Sequence, residues 1–344
     1  MENLVASDRF QRFYNCSFYD YESVPRMARK NMLVGIILLM LYAVFEILYL
    51  PCLAVFARRE NIRESCYKLM LFMGILSMIN IHSSGLIIGV YAIRGDVFCD
   101  RPLFNYVIGM PAFGLYCAES LTAVILALNR CIEMWDNRIV RILFDGHRMY
   151  CWMAGVLLYG FVLGTFTIPP MPNGMLVGWF WNPHIAYVDD KEGIYQNKAF
   201  TAHNISIGFG LPLIYAVFYI IMHKKMSMIG AEGVQNRQRA AERRKSKANI
   251  FVQVLLIGIL HMICTLLYVY MQYFPVPSWV IMSASYTWIA SQGFIPVIYI
   301  TLNKYIRRSI KRFFIDPTLS QLNTMRIYTT TQVSSINNIG ESRI

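Results

Sequence analysis

Charge is scarce in this chain. Only 15% of its 344 residues are Asp, Glu, Lys or Arg, against ~25% in ordinary soluble domains, and 56% are hydrophobic. A soluble domain that apolar would expose patches it could not keep from aggregating, so no sizeable soluble domain is expected. Catalytic signatures are missing too. No hydrolase, kinase or nucleotide-binding motif appears, and His82, His147, His184, His203, His223 and His261 show no metal-ligand spacing with one another or with Cys. Neither enzyme activity, a metal nor a cofactor is expected. No internal repeat is visible, which weighs against an inverted-repeat transporter. Residues 1–31 are polar and aromatic, without the apolar core and cleavage site of a signal peptide, so the first apolar run is expected to insert as a signal anchor.

What is abundant is long apolar sequence. Seven runs, at about 32–57, 69–92, 103–133, 150–168, 201–222, 250–273 and 279–302, each have the roughly 20 residues that cross a bilayer. The expected fold is an all-α membrane protein, a seven-transmembrane helix bundle. Basic residues orient it. With the N-terminus outside, the inner segments 58–68, 130–149, 223–249 and 303–344 hold 23 of the 32 Lys and Arg. Arg26, Arg29 and Lys30, just before the first run, oppose this locally, but the global count is larger. The same placement accounts for the net charge of +12 without a nucleic-acid partner.

The expected organisation is therefore an extracellular segment 1–31, a bundle 32–302, a surface helix 303–315 and a disordered cytoplasmic tail 316–344. Ile306, Ile310, Phe313 and Phe314 recur at helical spacing opposite Arg307, Arg308, Lys311 and Arg312, the pattern of a basic amphipathic helix on the anionic inner leaflet. Of eight Cys, only Cys16 and Cys99 fall in the oxidising outer space, so a bridge between them is the one external disulfide available to the monomer; two free thiols are the alternative. Asn15-Cys16-Ser17 is an N-glycosylation sequon in the outer segment. The outer connection 169–200 opens on the breaker cluster Pro169–Gly174 and continues into a β-prone stretch with Trp179, Phe180 and Trp181. That stretch reads either as a lid over the bundle mouth or as an aromatic belt at the headgroups.

Ionisable groups inside spans cost ~2.5–3.5 kcal/mol on insertion scales and need partners. Glu46, His82, Glu119, His203 and His261 are of this kind. Glu119 lies about three turns above the inner end of the third span, at the depth of Asn80 in the second. A buried polar cluster of Asn80, Glu119 and Ser291 is expected, with a protonated Glu119 simply hydrogen-bonded in the bundle as the alternative.

The third span closes on Leu126-Ala127-Leu128-Asn129-Arg130-Cys131 and the seventh on Phe294-Ile295-Pro296-Val297-Ile298-Tyr299. These resemble rhodopsin-like G-protein-coupled receptors, in which an acidic residue, Arg and an aromatic close the third helix and Asn-Pro-x-x-Tyr closes the seventh. Here Asn129, Cys131 and Ile295 depart from the pattern. The Trp-x-Pro of the sixth span is absent, as is the Cys of the second outer loop. Together with Leu48-Tyr49-Leu50-Pro51-Cys52-Leu53 and Trp179-Phe180-Trp181-Asn182-Pro183-His184, the chain resembles a nematode chemoreceptor of the serpentine receptor class T family over about residues 15–315. The resemblance implies a receptor in the plasma membrane of sensory neurons, with a small-molecule ligand and a heterotrimeric G protein as partners besides the bilayer. It implies switch roles for Arg130, Pro296 and Tyr299. The ligand would sit among Phe113, Tyr116, His203, Asn204, Tyr268, Gln272, Tyr286 and Trp288 in the outer half. The alternatives are a transporter or a ligand-gated channel. An opsin is excluded, since no Lys lies in Ser278–Leu302 to hold retinal.

Overall fold

The computed structural model describes residues 7–17, 19–229 and 237–314. The tail expected to be disordered, 316–344, lies outside them. So do the side chains of the basic third inner loop and of Phe313 and Phe314.

Among the described residues six helical segments are long and apolar enough to cross a membrane. They are α2 (Met32–Phe56), α3 (Ser65–Ile81) running through a π-helical turn at His82–Ile87 into α4 (Ile88–Arg94), α5 (Pro102–Trp135), α7 (His147–Phe166), the outer part of α8 (Lys198–Ile229) and that of α9 (Arg237–Tyr273). The seventh helix of the bundle, α10 (Ser278–Leu302), is 25 residues long and less apolar, because its buried face carries Ser285, Ser291 and Gln292. Shorter helices flank these: α1 (Ser7–Tyr14) in the N-terminal segment, α6 (Asn137–Phe144) after α5, and α11 (Lys304–Phe314) after α10. The protein is a seven-helix membrane bundle with its N-terminus outside.

Two-sided use of apolar residues marks the lipid boundary. On α2, Leu33, Ile36, Met40, Val44, Ile47 and Leu50 are exposed at helical spacing, while Leu38, Phe45, Tyr49, Cys52 and Phe56 are buried. On α7, Leu157, Leu158, Phe161 and Val162 face outward, and beyond Met149 in the first turn the buried residues are small or slender (Val156, Gly160, Gly164). The α7–α5 crossing explains those glycines. A Cβ on Gly160 would run into the Gly114 carbonyl, so the backbones touch as small-residue membrane helices do. α5 is buried along most of its length and packs against α3, α7 and α8.

The outer end is closed by sequence that does not span. Pro169–Gly174 ends the run after α7, and the chain turns back as an antiparallel hairpin, β1 (Met171–Asn173) with β2 (Gly178–Phe180). The hairpin is seated, not splayed. A Cβ on Gly174 would meet the Tyr91 carbonyl at the end of α4, and Asn31 donates to the Gly174 and Met175 carbonyls at 3.1 and 2.9 Å. Cys16 and Cys99 are bonded, with Cα atoms 5.8 Å apart, tying the N-terminal segment to the start of α5. Around that bond Phe10, Tyr14, Phe98 and Tyr106 form an aromatic cap. Two of the three basic residues that opposed the orientation locally are paired here: Arg26 with Asp96 (3.2 Å) and Asp100 (3.4 Å), and Arg29 with Asp100 (3.5 Å). A topological signal needs free positive charge near the membrane, and these two carry little.

At the inner end Asn303 caps α11, its side chain accepting from the Tyr305 and Ile306 amides. Ile306 is buried while Arg308, Lys311 and Arg312 are exposed. The Tyr305 hydroxyl donates 2.6 Å to Asn61, which in turn donates to the Val55 carbonyl, pinning α11 to the end of α2.

Candidate functional site

The hairpin's aromatic strand lies directly over the bundle. Val177 and Trp179 are buried beneath it; Trp179 donates its indole N–H to the Ser83 carbonyl (3.1 Å) in the π-helical turn, and the Ser285 hydroxyl donates to the Val177 carbonyl at 2.6 Å. Val177 holds φ of +55°, a conformation a β-branched residue rarely adopts, so the hairpin sits strained against α10. Of the two alternatives for this stretch, the lid describes it.

Beneath the lid, Phe113 and Tyr116 of α5, Phe200 of α8, Tyr268 of α9 and Trp288 of α10 enclose a cavity with Trp179, Trp181 and Pro170. Trp288 stands at its centre, with ring centroids 5.9 Å from Tyr116, 5.8 Å from Tyr268 and 6.2 Å from Trp179. The interatomic space is about 300 Å³, of which only about 20 Å³ admits a water's centre. That is room for a water or so, not for an odorant. Toward solvent a vestibule of about 430 Å³ shares Trp179, Trp181 and Tyr268 with the cavity and is walled further by Gln272 and Asp189–Lys191. Trp181, its ring tilted against Phe200 with centroids 4.0 Å apart, thus stands between the two spaces. The Trp181 and Trp288 indole N–H groups and the Tyr268 hydroxyl are buried without a partner, as is the Gln272 carbonyl oxygen. Such orphans cost roughly 1–3 kcal/mol each, so three around one cavity is a concentration that packing alone does not explain.

One turn below the cavity lies a polar cluster. Glu119 accepts from Ser77 (2.6 Å), Asn80 (2.9 Å) and the Gln292 amide (3.0 Å), all fully buried. Gln292 also accepts from Ser84 (2.7 Å), and its backbone carbonyl takes the Tyr49 hydroxyl (2.5 Å). Spans one, two and three therefore converge on one residue of α10.

The model of the family described as serpentine type 7TM GPCR chemoreceptor Srt matches residues 3–324. The chain belongs to that family. Among curated proteins, this Srt chain is similar to Serpentine receptor class T-55 of Caenorhabditis elegans, 22% identical over 307 residues, covering 88% of this chain and 81% of that protein. Among solved structures it resembles squid rhodopsin, with a TM-score of 0.62 at 13% identity over 86% of this chain and 87% of that one. The second likeness establishes the seven-helix receptor fold and nothing finer.

At the inner end of the Srt bundle, Arg130 lacks the acidic neighbour usual in rhodopsin-like receptors. Asn129 instead turns to Ser65 (3.2 Å), and Arg130 finds its acid one turn on, pairing with Glu133 at 2.8 Å. Its second nitrogen approaches the Met70 sulfur. Tyr299 is buried edge-on against Phe56, 5.5 Å between centroids. Pro296 leaves the Gln292 carbonyl without a helical donor, which is why Tyr49 caps it, and the Cys52 thiol turns toward the Pro296 carbonyl. The span-one and span-seven motifs singled out in the sequence are in contact.

Several expected residues lie elsewhere. Ser291 does not join Glu119; its hydroxyl donates to the Trp288 carbonyl, and the place belongs to Gln292, one residue and about 100° further round the helix. Tyr286 does not line the cavity: two residues before Trp288, it faces the other way and is half-buried. His203 and Asn204 lie behind the cavity wall. His203 is held between Ser120 (2.9 Å) and Tyr159 (2.8 Å), and Asn204 accepts from Tyr116 (2.8 Å). Gln272 sits in the vestibule, donating to Thr201. Ser77, Gln292, Trp179, Trp181, Pro170 and Phe200 were not assigned to either site from sequence. The breaker cluster before the Trp pair was the signal that could have added the lid residues.

Outside the membrane, His184 joins the cap. Its Nε2–H donates to the Phe13 carbonyl (3.2 Å), leaving Nδ1 to accept from Tyr19 (3.0 Å). Burial lowers its pKa, more than the Phe13 bond raises it, so the ring is neutral. Cys16, Cys99 and His184 converge, but both sulfurs are spent in the disulfide.

Proposed function

We propose that this Srt protein is a plasma-membrane chemoreceptor of sensory neurons that binds a small molecule from the outer side and activates a heterotrimeric G protein. The observation that carries the proposal is the narrow aromatic cavity between α5, α8, α9 and α10 under the strained hairpin. Ligand-sized sites of this kind occur between bundle helices, and a collapsed one favours an occupant-dependent second packing. Entry through the vestibule displaces Trp181 and shifts Trp288. Trp288, Gln292, Pro296 and Tyr299 are spaced four, four and three apart, on one face of α10. A shift of Trp288 therefore strains the Gln292–Glu119 bond and the Pro296 kink, and frees Tyr299 from Phe56. The cytoplasmic face then opens around Arg130. The G protein meets Arg130 together with α6, whose Ile139, Ile142, Leu143, Arg138 and Arg141 are exposed.

The test is nucleotide exchange on purified Gα, driven by the receptor in vesicles and screened against an odorant panel, with Arg130→Ala as control. Ligand-dependent exchange lost in Arg130→Ala supports the proposal. Substrate or ion flux without any Gα would overturn it in favour of a transporter or channel.

A further inference from the structure

We infer that the cavity takes an uncharged molecule bearing a hydrogen-bond-accepting oxygen or nitrogen (ketone, ester, lactone or ether chemistry), held by the Trp181, Tyr268 and Trp288 donors inside an aromatic cage. The inference rests on the ligand-binding proposal above and adds the chemical class. Each of the three side chains is more than nine-tenths buried, lines the cavity and keeps its polar atom unpartnered. An indole nitrogen can only donate, so two of the three ask for an acceptor and nothing else. The Tyr268 hydroxyl, beside Ser285, can donate or accept, so the demand for an acceptor rests on the two indoles.

Charge is excluded by the same wall. The lining holds no Lys, Arg, His, Asp or Glu. Glu119, one turn further along α5, is engaged by Ser77, Asn80 and Gln292. The nearest imidazole, His203, has both nitrogens taken by Ser120 and Tyr159. A carboxylate would be stripped of water with no counter-charge to meet it, and an ammonium, though drawn to the ring faces, would meet inward-turned N–H donors and no acceptor for its own protons. A pure hydrocarbon fits the aromatic walls but leaves all three donors bare.

Calorimetric titration of the full-length protein in lipid nanodiscs tests this with size-matched series: small aromatic and aliphatic ketones, esters and ethers, their parent hydrocarbons, and the corresponding amines and carboxylic acids. Binding should be confined to the neutral acceptors, with hydrocarbons weaker. Tyr268→Phe keeps the ring and removes only the hydroxyl, while Trp181→Phe and Trp288→Phe remove the N–H and one of the two fused rings, so each variant is read by the acceptor against its parent hydrocarbon. At least one should weaken the acceptor about three- to tenfold while leaving its parent hydrocarbon unchanged. Equal loss for both members of a pair would mean the rings only pack. Amines or acids binding as well as ketones, or no series binding at all, would overturn the inference. Exchange on Gα measured in parallel separates the two proposals. Ketone binding without exchange defeats the receptor mechanism and leaves the chemistry; exchange driven by amines does the reverse.

Discussion

The Tyr49 hydroxyl donates across 2.5 Å to the Gln292 carbonyl, and that carbonyl is open to it because Pro296, four residues on, has no N–H to give. The kink in the seventh span is thus stabilised by a residue of the first. Removing the hydroxyl leaves a buried acceptor, worth ~1–3 kcal/mol in soluble proteins, though interhelical bonds in membranes average nearer ~0.6 kcal/mol. Tyr49→Phe should therefore destabilise the bundle by about 1 kcal/mol. Pro296→Ala restores the helical donor, so in that background Tyr49→Phe should cost almost nothing. Thermal unfolding of the four proteins in detergent measures the cycle, and strictly additive losses would show that the two residues are independent.

Glu119 is the common acceptor of three donors. Glu119→Gln can keep its carbonyl for Asn80 and Gln292, which share one oxygen, and turn its N–H to Ser77, whose hydroxyl can accept as well as donate. This variant should reach the surface normally and shift the dose–response curve. Glu119→Leu strands Ser77, Asn80 and Gln292 together and should cost about 3 kcal/mol or more, with surface display falling accordingly. Flow cytometry of an N-terminally tagged receptor distinguishes them; equal display of both variants would mean the cluster bears no such load.

How much of this was legible in the sequence follows from what each signal encodes. Hydropathy and basic residues encode depth and side, so the seven helices, their direction and the level of Glu119 beside Asn80 could be read directly. Azimuth is encoded only by the buried–exposed phase of a helix, and α10 gives a weak one, because Ser, Thr, Gln and aromatics occur all round it. Hence the pattern points to Ser291 where Gln292 acts, and to Tyr286 beside Trp288. The hairpin's place over the cavity depends on contacts with residues about a hundred positions away, Trp179 to Ser83 and Val177 to Ser285, which no local pattern contains. The Arg26 and Arg29 conflict likewise needed Asp96 and Asp100, some seventy residues on, to resolve it.

The neutral His184 makes the outer cap acid-sensitive. Its pKa in the docked cap is below the ordinary 6.5, so above that value both docked and released forms are neutral and the cap is fully stable. As pH falls through 6.5 the released form takes up the proton first, and docking weakens until the lowered pKa is also passed. Hydrogen exchange of the segment around Phe13 should thus speed up between pH about 7.5 and about 5, after correction for intrinsic rates, and His184→Phe should abolish the extra slope. An unchanged slope in His184→Phe would place the acid sensitivity elsewhere.

Two glycines five residues apart on α7 separate packing from composition. Gly160 lies at the α5 crossing, where a Cβ would strike the Gly114 carbonyl; Gly155 has nothing within 4 Å of its own added Cβ. Overpacking typically costs 1–3 kcal/mol when side chains can adjust, but backbone against backbone cannot repack. Gly160→Leu should therefore cost about 3 kcal/mol or more and remove most of the protein from the cell surface. Gly155→Leu, on the lipid side, should be displayed at the wild-type level or slightly above, since Leu is the better helix former. Surface labelling of both decides it. Equal loss in the two would implicate glycine's backbone freedom in α7 rather than the approach of α5. Equal tolerance would mean the two helices do not cross as closely as the Gly114–Gly160 contact requires.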